Sequence, residues 1–166
     1  MSSPYRLILN IRERNQGFTL LELIVTIIFI GILAVLSYPV YTKQAGKARE
    51  SEVKFIIGTI NRGQQAYHWE KGVFAQGADD TASLVLLNTS VSSAYITSLN
   101  IVANPNNATV APNNLNFADF QIKGYSGGMF AGAGNYSQVI CQAPEVSLNT
   151  PPPVAPNDCV TGIIIE

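Results

Sequence analysis

The sequence predicts an α+β protein: one long N-terminal helix, apolar in its first half and amphipathic in its second, laid on a small antiparallel sheet. Three observations carry this expectation. An uninterrupted apolar run spans Phe18 to Val40, 23 residues, with Glu22 as its one charged residue. Beyond it, Ala45, Ala48, Val53, Ile56, Ile57, Ile60, Gln64 and Tyr67 recur largely at intervals of three and four until Lys71-Gly72, the period of a helix with one apolar face. Past Gly72 the chain changes to Ser/Thr clusters, turn dipeptides and short alternating or β-branched runs, which read as strands joined by turns.

The apolar run has the length of a membrane span, since 23 helical residues at about 1.5 Å each cross a hydrocarbon layer of roughly 30 Å. A carboxylate inside such a layer costs about 2.5 to 3.5 kcal/mol. Glu22 therefore marks a partner or a pathway, unless it lies near enough to the surface to be wetted. In front of the run stands MSSPYRLILNIRERNQG, with Arg6, Arg12 and Arg14 against Glu13. A secretory signal peptide has a shorter apolar segment followed by a small-residue cleavage site; here a glycine comes first and the long apolar segment follows. Charge does not orient the segment, because Lys43, Lys47, Arg49 and Lys54 flank its far end.

The basic leader, Gly17, the sequence Phe-Thr-Leu-Leu-Glu and the long apolar helix together resemble the prepilin signal of type IV pilins and pseudopilins. The resemblance implies that a membrane-embedded aspartic peptidase, prepilin peptidase, cuts between Gly17 and Phe18 on the cytoplasmic side and methylates the new amino terminus of Phe18. Glu22 becomes the fifth residue of the mature chain. Gly31, Pro39 and Tyr41 fall where pilins of the type IVa kind commonly carry these residues. The stretch IGTINRGQQAYHWEKGVFA, Ile57 to Ala75, is similar to the corresponding part of cyanobacterial pilins of the G and H type. The implied organisation is a cleaved leader (1–17), a transmembrane and assembly helix (18–41), an amphipathic stalk helix (42–71) and a pilin head (72–166). In assembled pili of the family the helix melts between the glycine and the proline, so Gly31 to Pro39 is the expected melting segment. Phe18, Glu22, Gly31 and Pro39 are the expected assembly residues, with Glu22 pairing the amine of Phe18 in its own or a neighbouring subunit.

Composition fits a folded chain with a membrane segment: 47% hydrophobic, 13% charged, formal net charge −1. The charge is uneven. Lys43, Lys47, Arg49, Lys54, Arg62 and Lys71 face Glu50, Glu52 and Glu70 in the stalk, whereas from Gly72 onward Lys123 alone faces Asp79, Asp80, Asp119, Glu145, Asp158 and Glu166. The acidic head argues against nucleic acid as a partner. Cys141 and Cys159 are the two cysteines, and in an exported domain such a pair reads as a disulfide. The bridge would close a proline-rich loop, worth about 3 kcal/mol on the chain-entropy estimate, and resembles the carboxy-terminal disulfide loop of pilins. Two distant cysteines and one histidine do not have zinc spacing, so no metal and no cofactor is expected.

In the head, Gly72 to about Asn116 reads as a loop-rich connector with an apolar piece at Leu84 to Leu87. Strands are expected at Phe117 to Tyr125, Gly128 to Gln142 and Cys159 to Ile165, giving three or four in all. The glycine-rich Gly127 to Gly134 lacks the Lys-Ser/Thr of a phosphate loop and reads as a strand bulge. His68 reads as packing beneath the head, Asp79-Asp80 as weak evidence for calcium, and the glycosylation-like triplets at Asn88, Asn107 and Asn135 as polar loops. The expected function is structural: a single-pass inner-membrane precursor that polymerises through its apolar helix, with other pilin subunits and a pilus assembly platform, into an extracellular fibre serving adhesion, motility or DNA uptake. It is not expected to be an enzyme. The alternatives are a pseudopilin of a secretion system and a membrane-anchored binding protein.

Overall fold

The structure, a computed structural model, describes residues 17–113, 120–146 and 150–165. Helix α1 covers Leu20–Lys71, 52 residues, and is helical through Pro39. The chain divides into two compact units, one up to Pro39 and one from Val40 onward. The first unit, among the described residues, is a short lead-in and the apolar part of α1, in which every residue from 17 to 39 is exposed.

The second unit is the head. Its α1 segment ends where Gly72 takes φ +73 and its N–H donates to the His68 carbonyl at 2.8 Å, a left-handed cap that glycine adopts without steric cost. A seven-residue helix, α2 (Asp80–Leu86), follows, its start capped by the Asp79 carboxylate accepting from the Ala82 N–H at 2.7 Å. Then come β1 (Ser98–Ala103), β2 (Asn107–Asn113), β3 (Lys123–Gly132), β4 (Asn135–Val146) and β5 (Ile163–Ile165), paired antiparallel in sequence order.

The α1 face that packs on this sheet differs in part from the expected one. Val53, Ile56, Ile57, Ile60 and Gln64 are buried as predicted, but Ala48 is exposed and Gly46 and Asn61 are buried instead. Together with Leu99, Ile101, Val110 and Tyr125 the helix residues form the main core. Two glycines allow the approach. A Cβ on Gly127 would collide with Ile57 Cγ2, and one on Gly46 would meet the Gln121 carbonyl oxygen at 2.5 Å. On the sheet's other face Phe130, Val139 and Cys141 form a smaller cluster with Cys159, and the Ser126 hydroxyl donates to the Pro151 carbonyl at 2.8 Å. Strand β3 is thus covered on both faces, which is why Gly124 to Phe130 are all buried.

The sheet has five strands, and the difference from the expected three or four lies in the connector. Residues 98–113 form a hairpin in which only Asn104 to Asn106 turn, the Asn104 N–H donating to the Asn107 carbonyl at 2.7 Å. The turn chemistry of this stretch hid β2. Its Pro112 pairs with Leu99, beyond the last β2–β3 partner, Val110, so the missing N–H falls where β2 has no β3 neighbour. The expected strand Phe117–Tyr125 lies partly outside the described residues; β3 begins at Lys123. The single strand expected over Gly128–Gln142 is a hairpin: Gly132 pairs with Asn135 around Ala133 (φ 47) and Gly134 (φ 85). Two positive φ values in a two-residue loop are the tight turn whose twist matches the strands. The glycine-rich segment is therefore strand and turn; the register irregularity sits at Lys123/Tyr125.

The outer edge of β1 is closed by side chains. The Ile101 N–H donates to Asp80 Oδ1 at 3.0 Å, the Ala103 N–H to Gln76 Oε1 at 2.6 Å, and Gln76 Nε2 donates to the Ile101 carbonyl at 3.3 Å. Two side chains thereby occupy sites that an added strand would use.

Two outcomes follow from this geometry. Alanine at a left-handed position is strained, so Ala133→Asn, which creates an Asn-Gly turn, should raise stability by about 0.5 to 1 kcal/mol in denaturant unfolding of the solubilised chain. Gln76→Ala combined with Asp80→Ala should expose the β1 edge: light scattering should report concentration-dependent association, together with a stability loss of about 1 to 3 kcal/mol.

Candidate functional site

Of the residues expected to act in assembly, Phe18 precedes α1, Glu22 lies in its first turn, and Gly31 and Pro39 lie within its apolar part. Gly17, Phe18 and Thr19 precede the helix, and Thr19 caps it: its Oγ1 accepts the Glu22 N–H at 3.2 Å, while its carbonyl accepts the Leu23 N–H at 3.2 Å. The spacing Thr19-x-x-Glu22 is that of a capping box, a local signal the sequence carries in addition to the charge of Glu22. Glu22 therefore sits in the first turn, where the partial positive charge of the helix N-terminus favours an anion. Its side chain leans toward the helix start.

Past Glu22 the polar side chains satisfy themselves. The Thr26 hydroxyl donates to the Leu23 carbonyl at 2.7 Å and the Ser37 hydroxyl to the Ala34 carbonyl at 3.2 Å, so neither brings an unmet donor into an apolar solvent. The surrounding surface is continuous hydrocarbon, with Leu20, Leu21, Ile27, Phe29, Ile30, Leu33, Val35 and Leu36 among the exposed side chains. Among the described residues α1 is the one helix long and apolar enough to cross a membrane. A Cβ on Gly31 would meet no atom within 4 Å. Nothing in the chain's own packing requires that glycine, although in a helix it costs about 1 kcal/mol relative to alanine.

In the head, Cys141 and Cys159 are disulfide-bonded with Cα atoms 5.7 Å apart, tying the proline-rich segment to β4. His68 packs as expected: its Nδ1 lies 2.8 Å from the Tyr136 hydroxyl and its ring centroid 4.3 Å from that of Phe74. Asp79 and Asp80 are engaged in the helix cap and the strand edge, and among the described residues no group of three or more His, Cys, Asp or Glu side chains is arranged to hold a metal. Asn107 lies in β2 and Asn135 opens β4, while Asn88 takes φ 50 after α2.

Periodicity gave no sign of one constellation. Glu50 on α1 accepts the Lys123 N–H at Oε1 and the Tyr125 hydroxyl at Oε2, each at 3.0 Å. Gln142 Nε2 donates to the same Tyr125 hydroxyl, and the Lys54 ammonium lies 5.5 Å from the Tyr125 ring centroid. At the preceding position, Arg49 donates to the Phe120 carbonyl at 2.7 Å and lies over the rings of Phe120 and Tyr95. Deeper still, Gln64 exchanges both hydrogen bonds of its amide with the backbone of Ala75, at 2.8 and 2.9 Å. These side chains lock α1 to the sheet and to the segment after it. Burial, then the Glu50 charge and hydrogen bond, push the Tyr125 hydroxyl well above its ordinary range.

A helix with an apolar, capped, acidic start, packed in its later part on an antiparallel sheet, is the pilin fold. Residues 12–38 match the prokaryotic N-terminal methylation motif. The chain is 33% identical over 67 residues to the type IV major pilin protein PilA of Myxococcus xanthus, covering 40% of this chain and 30% of that one. It is 29% identical over 100 residues to the fimbrial protein EcpC of Eikenella corrodens (60% and 63% covered), and 27% identical over 102 residues to the type IV major pilin protein PilE of Neisseria gonorrhoeae (61% and 60%). The chain thus spans less than two thirds of the length of each of these relatives. No solved structure gives a significant match. Residues 50–161 match the family described as type IV pilin-like G and H, and the chain belongs to that family.

The Glu50–Tyr125 pair should be visible in alkali. Because Tyr125 holds its proton more tightly folded than unfolded, stability is fully present below pH about 10, the unfolded value, and falls as pH rises above it, with a slope approaching about 1.4 kcal/mol per pH unit. Denaturant unfolding of the solubilised chain between pH 8 and about 12 should show this decline, and Tyr125→Phe should flatten it while lowering stability at neutral pH by about 1 to 2 kcal/mol.

Proposed function

We propose that the chain is a structural subunit of a type IV pilus or pilus-like fibre, processed at Gly17-Phe18 and polymerised through α1, and that it catalyses no reaction. The observation that carries the reading is the pairing of an entirely exposed apolar segment with a single carboxylate in its first turn. On this reading residues 1–17 are a leader removed by prepilin peptidase, and Phe18 becomes an N-methylated amino terminus. Residues 18–41 serve as membrane anchor in the precursor and as assembly helix in the fibre. Residues 42–71 are the stalk of α1 and 72–166 the head, outside the cytoplasm. The partners are other pilin subunits, the assembly platform and the inner membrane.

Cleavage leaves Phe18 with a cationic amine at the edge of a low-dielectric layer, and such a charge is costly unless compensated. Glu22, one helical turn on, neutralises it in its own chain or in the next subunit, where the pairing sets the axial register. Gly31, with no packing duty inside the chain, and Pro39, without an N–H to donate, mark the segment best able to unwind on assembly.

Glu22→Ala should leave cleavage after Gly17 largely intact, read as the mass of a chain beginning at a methylated Phe18. Sheared filaments should fall at least about tenfold by immunoblot, with Glu22→Gln nearly as poor, since a neutral amide cannot compensate the amine. Normal filaments from the alanine variant would make Glu22 a wetted surface residue and remove the basis of this assembly mechanism.

A further inference from the structure

Trp69, the chain's one tryptophan, lies on the last turn of α1 within the head and is 76% exposed. Its surroundings are held in place. The Tyr136 ring centroid stands 6.4 Å from that of the indole at an interplanar angle of 56°, the Tyr136 hydroxyl is fixed by His68 Nδ1, and the His68 ring rests on the buried Phe74. Beside the indole is a hollow of about 250 Å³ bounded by His68, Tyr136, Asn106, Asn135 and the tight turn at Ala133-Gly134. The backbone of this wall is tied down by the Ala131 N–H, which donates to the Asn106 carbonyl at 2.8 Å. Among the described residues, no hydrogen bond engages the side chains of Asn106 or Asn135.

We propose that this hollow is a binding site for a neutral saccharide, one pyranose ring stacking its C–H face on Trp69 and directing hydroxyls to the amides of Asn106 and Asn135. A fixed aromatic face with few convergent polar groups is the general form of a small-molecule site. The polar groups here select the ligand class. Carboxamides both donate and accept, as sugar hydroxyls do, and they ask for no charge. The hollow is smaller than the roughly 300 to 1,000 Å³ of drug-sized sites, which suits one ring. A second hollow, on the side of Trp69 bounded by Gln65 and Glu70, leaves room for the next sugar unit. Stacked nucleotides would use the same indole, but no lysine or arginine lines the hollow of Asn106 and Asn135 to meet a phosphate. The inference concerns the head alone and holds whether or not the chain polymerises.

The single tryptophan makes the site its own reporter. The full chain, solubilised in a detergent without sugar headgroups, is titrated with glucose, galactose, N-acetylglucosamine and their disaccharides while Trp69 emission and saturation-transfer NMR of the sugar ring protons are recorded. A saturable emission change in the millimolar range is expected for at least one of them, as fits an open site. Asn106→Ala with Asn135→Ala should weaken it about tenfold or more with unchanged circular dichroism, and Asn135→Gln should retain part of it. Trp69→Phe, read by NMR, should bind more weakly. The proposal is overturned if no sugar gives a saturable change up to about 100 mM, or if the double variant responds like the parent. It is equally overturned if only a single-stranded oligonucleotide changes the emission in a salt-dependent way, or if emission follows protein concentration alone, which would assign the surface to contacts between copies.

Discussion

The structure depends on an apolar helical surface that the described residues leave exposed. Every residue from 17 to 40 is exposed, and large hydrophobic side chains stabilise by about 1.5 to 3 kcal/mol each when buried. Left in water, this surface forgoes that contribution, and a contiguous apolar surface of this extent has the form of an interaction or membrane-contacting surface. The polar groups of the segment fit that form: Thr19 caps the helix start, and Thr26 and Ser37 return their hydroxyl protons to the backbone. Only the Glu22 carboxylate is left as a charge, and it stands in the first turn, where the helix dipole favours an anion.

The head answers the opposite requirement, since the later part of α1 finds its cover inside the chain. Close approach comes from Gly46 and Gly127, apolar filling from Val53, Ile56, Ile57 and Ile60, and orientation from polar side chains that bond to the sheet and to the segment after α1. Asn61 reaches the carbonyls of Gly128 and Val139, Gln64 takes both backbone groups of Ala75, and Glu50 holds β3 by a backbone N–H and a hydroxyl. Buried polar groups bonded to several elements at once specify one docking arrangement, because any shift of the helix leaves several unmet together. The disulfide and the cover over β3 do the same for the sheet's other face.

What the sequence by itself determined is local in origin. The apolar run and the amphipathic period up to Lys71 are visible because backbone geometry repeats every 3.6 residues, so a few neighbours suffice to read them. The cysteine pairing was legible because there were two cysteines to pair. The α+β class follows from these and from the late β-branched runs. Tertiary structure decided the rest. Residues Asn107 to Asn113 have the composition of a turn, and they form a strand because Ala108 and Val110 fill buried positions while β1 and β3 supply hydrogen-bond partners. Glu50 finds Lys123 and Tyr125 across 73 and 75 residues of chain, and Trp69 comes to share a hollow with Asn106 and Asn135. No period links such residues. Their meeting is set by which helix face the glycines let down onto the sheet and by the register of each hairpin, quantities fixed by packing over the whole head rather than by any short stretch of it.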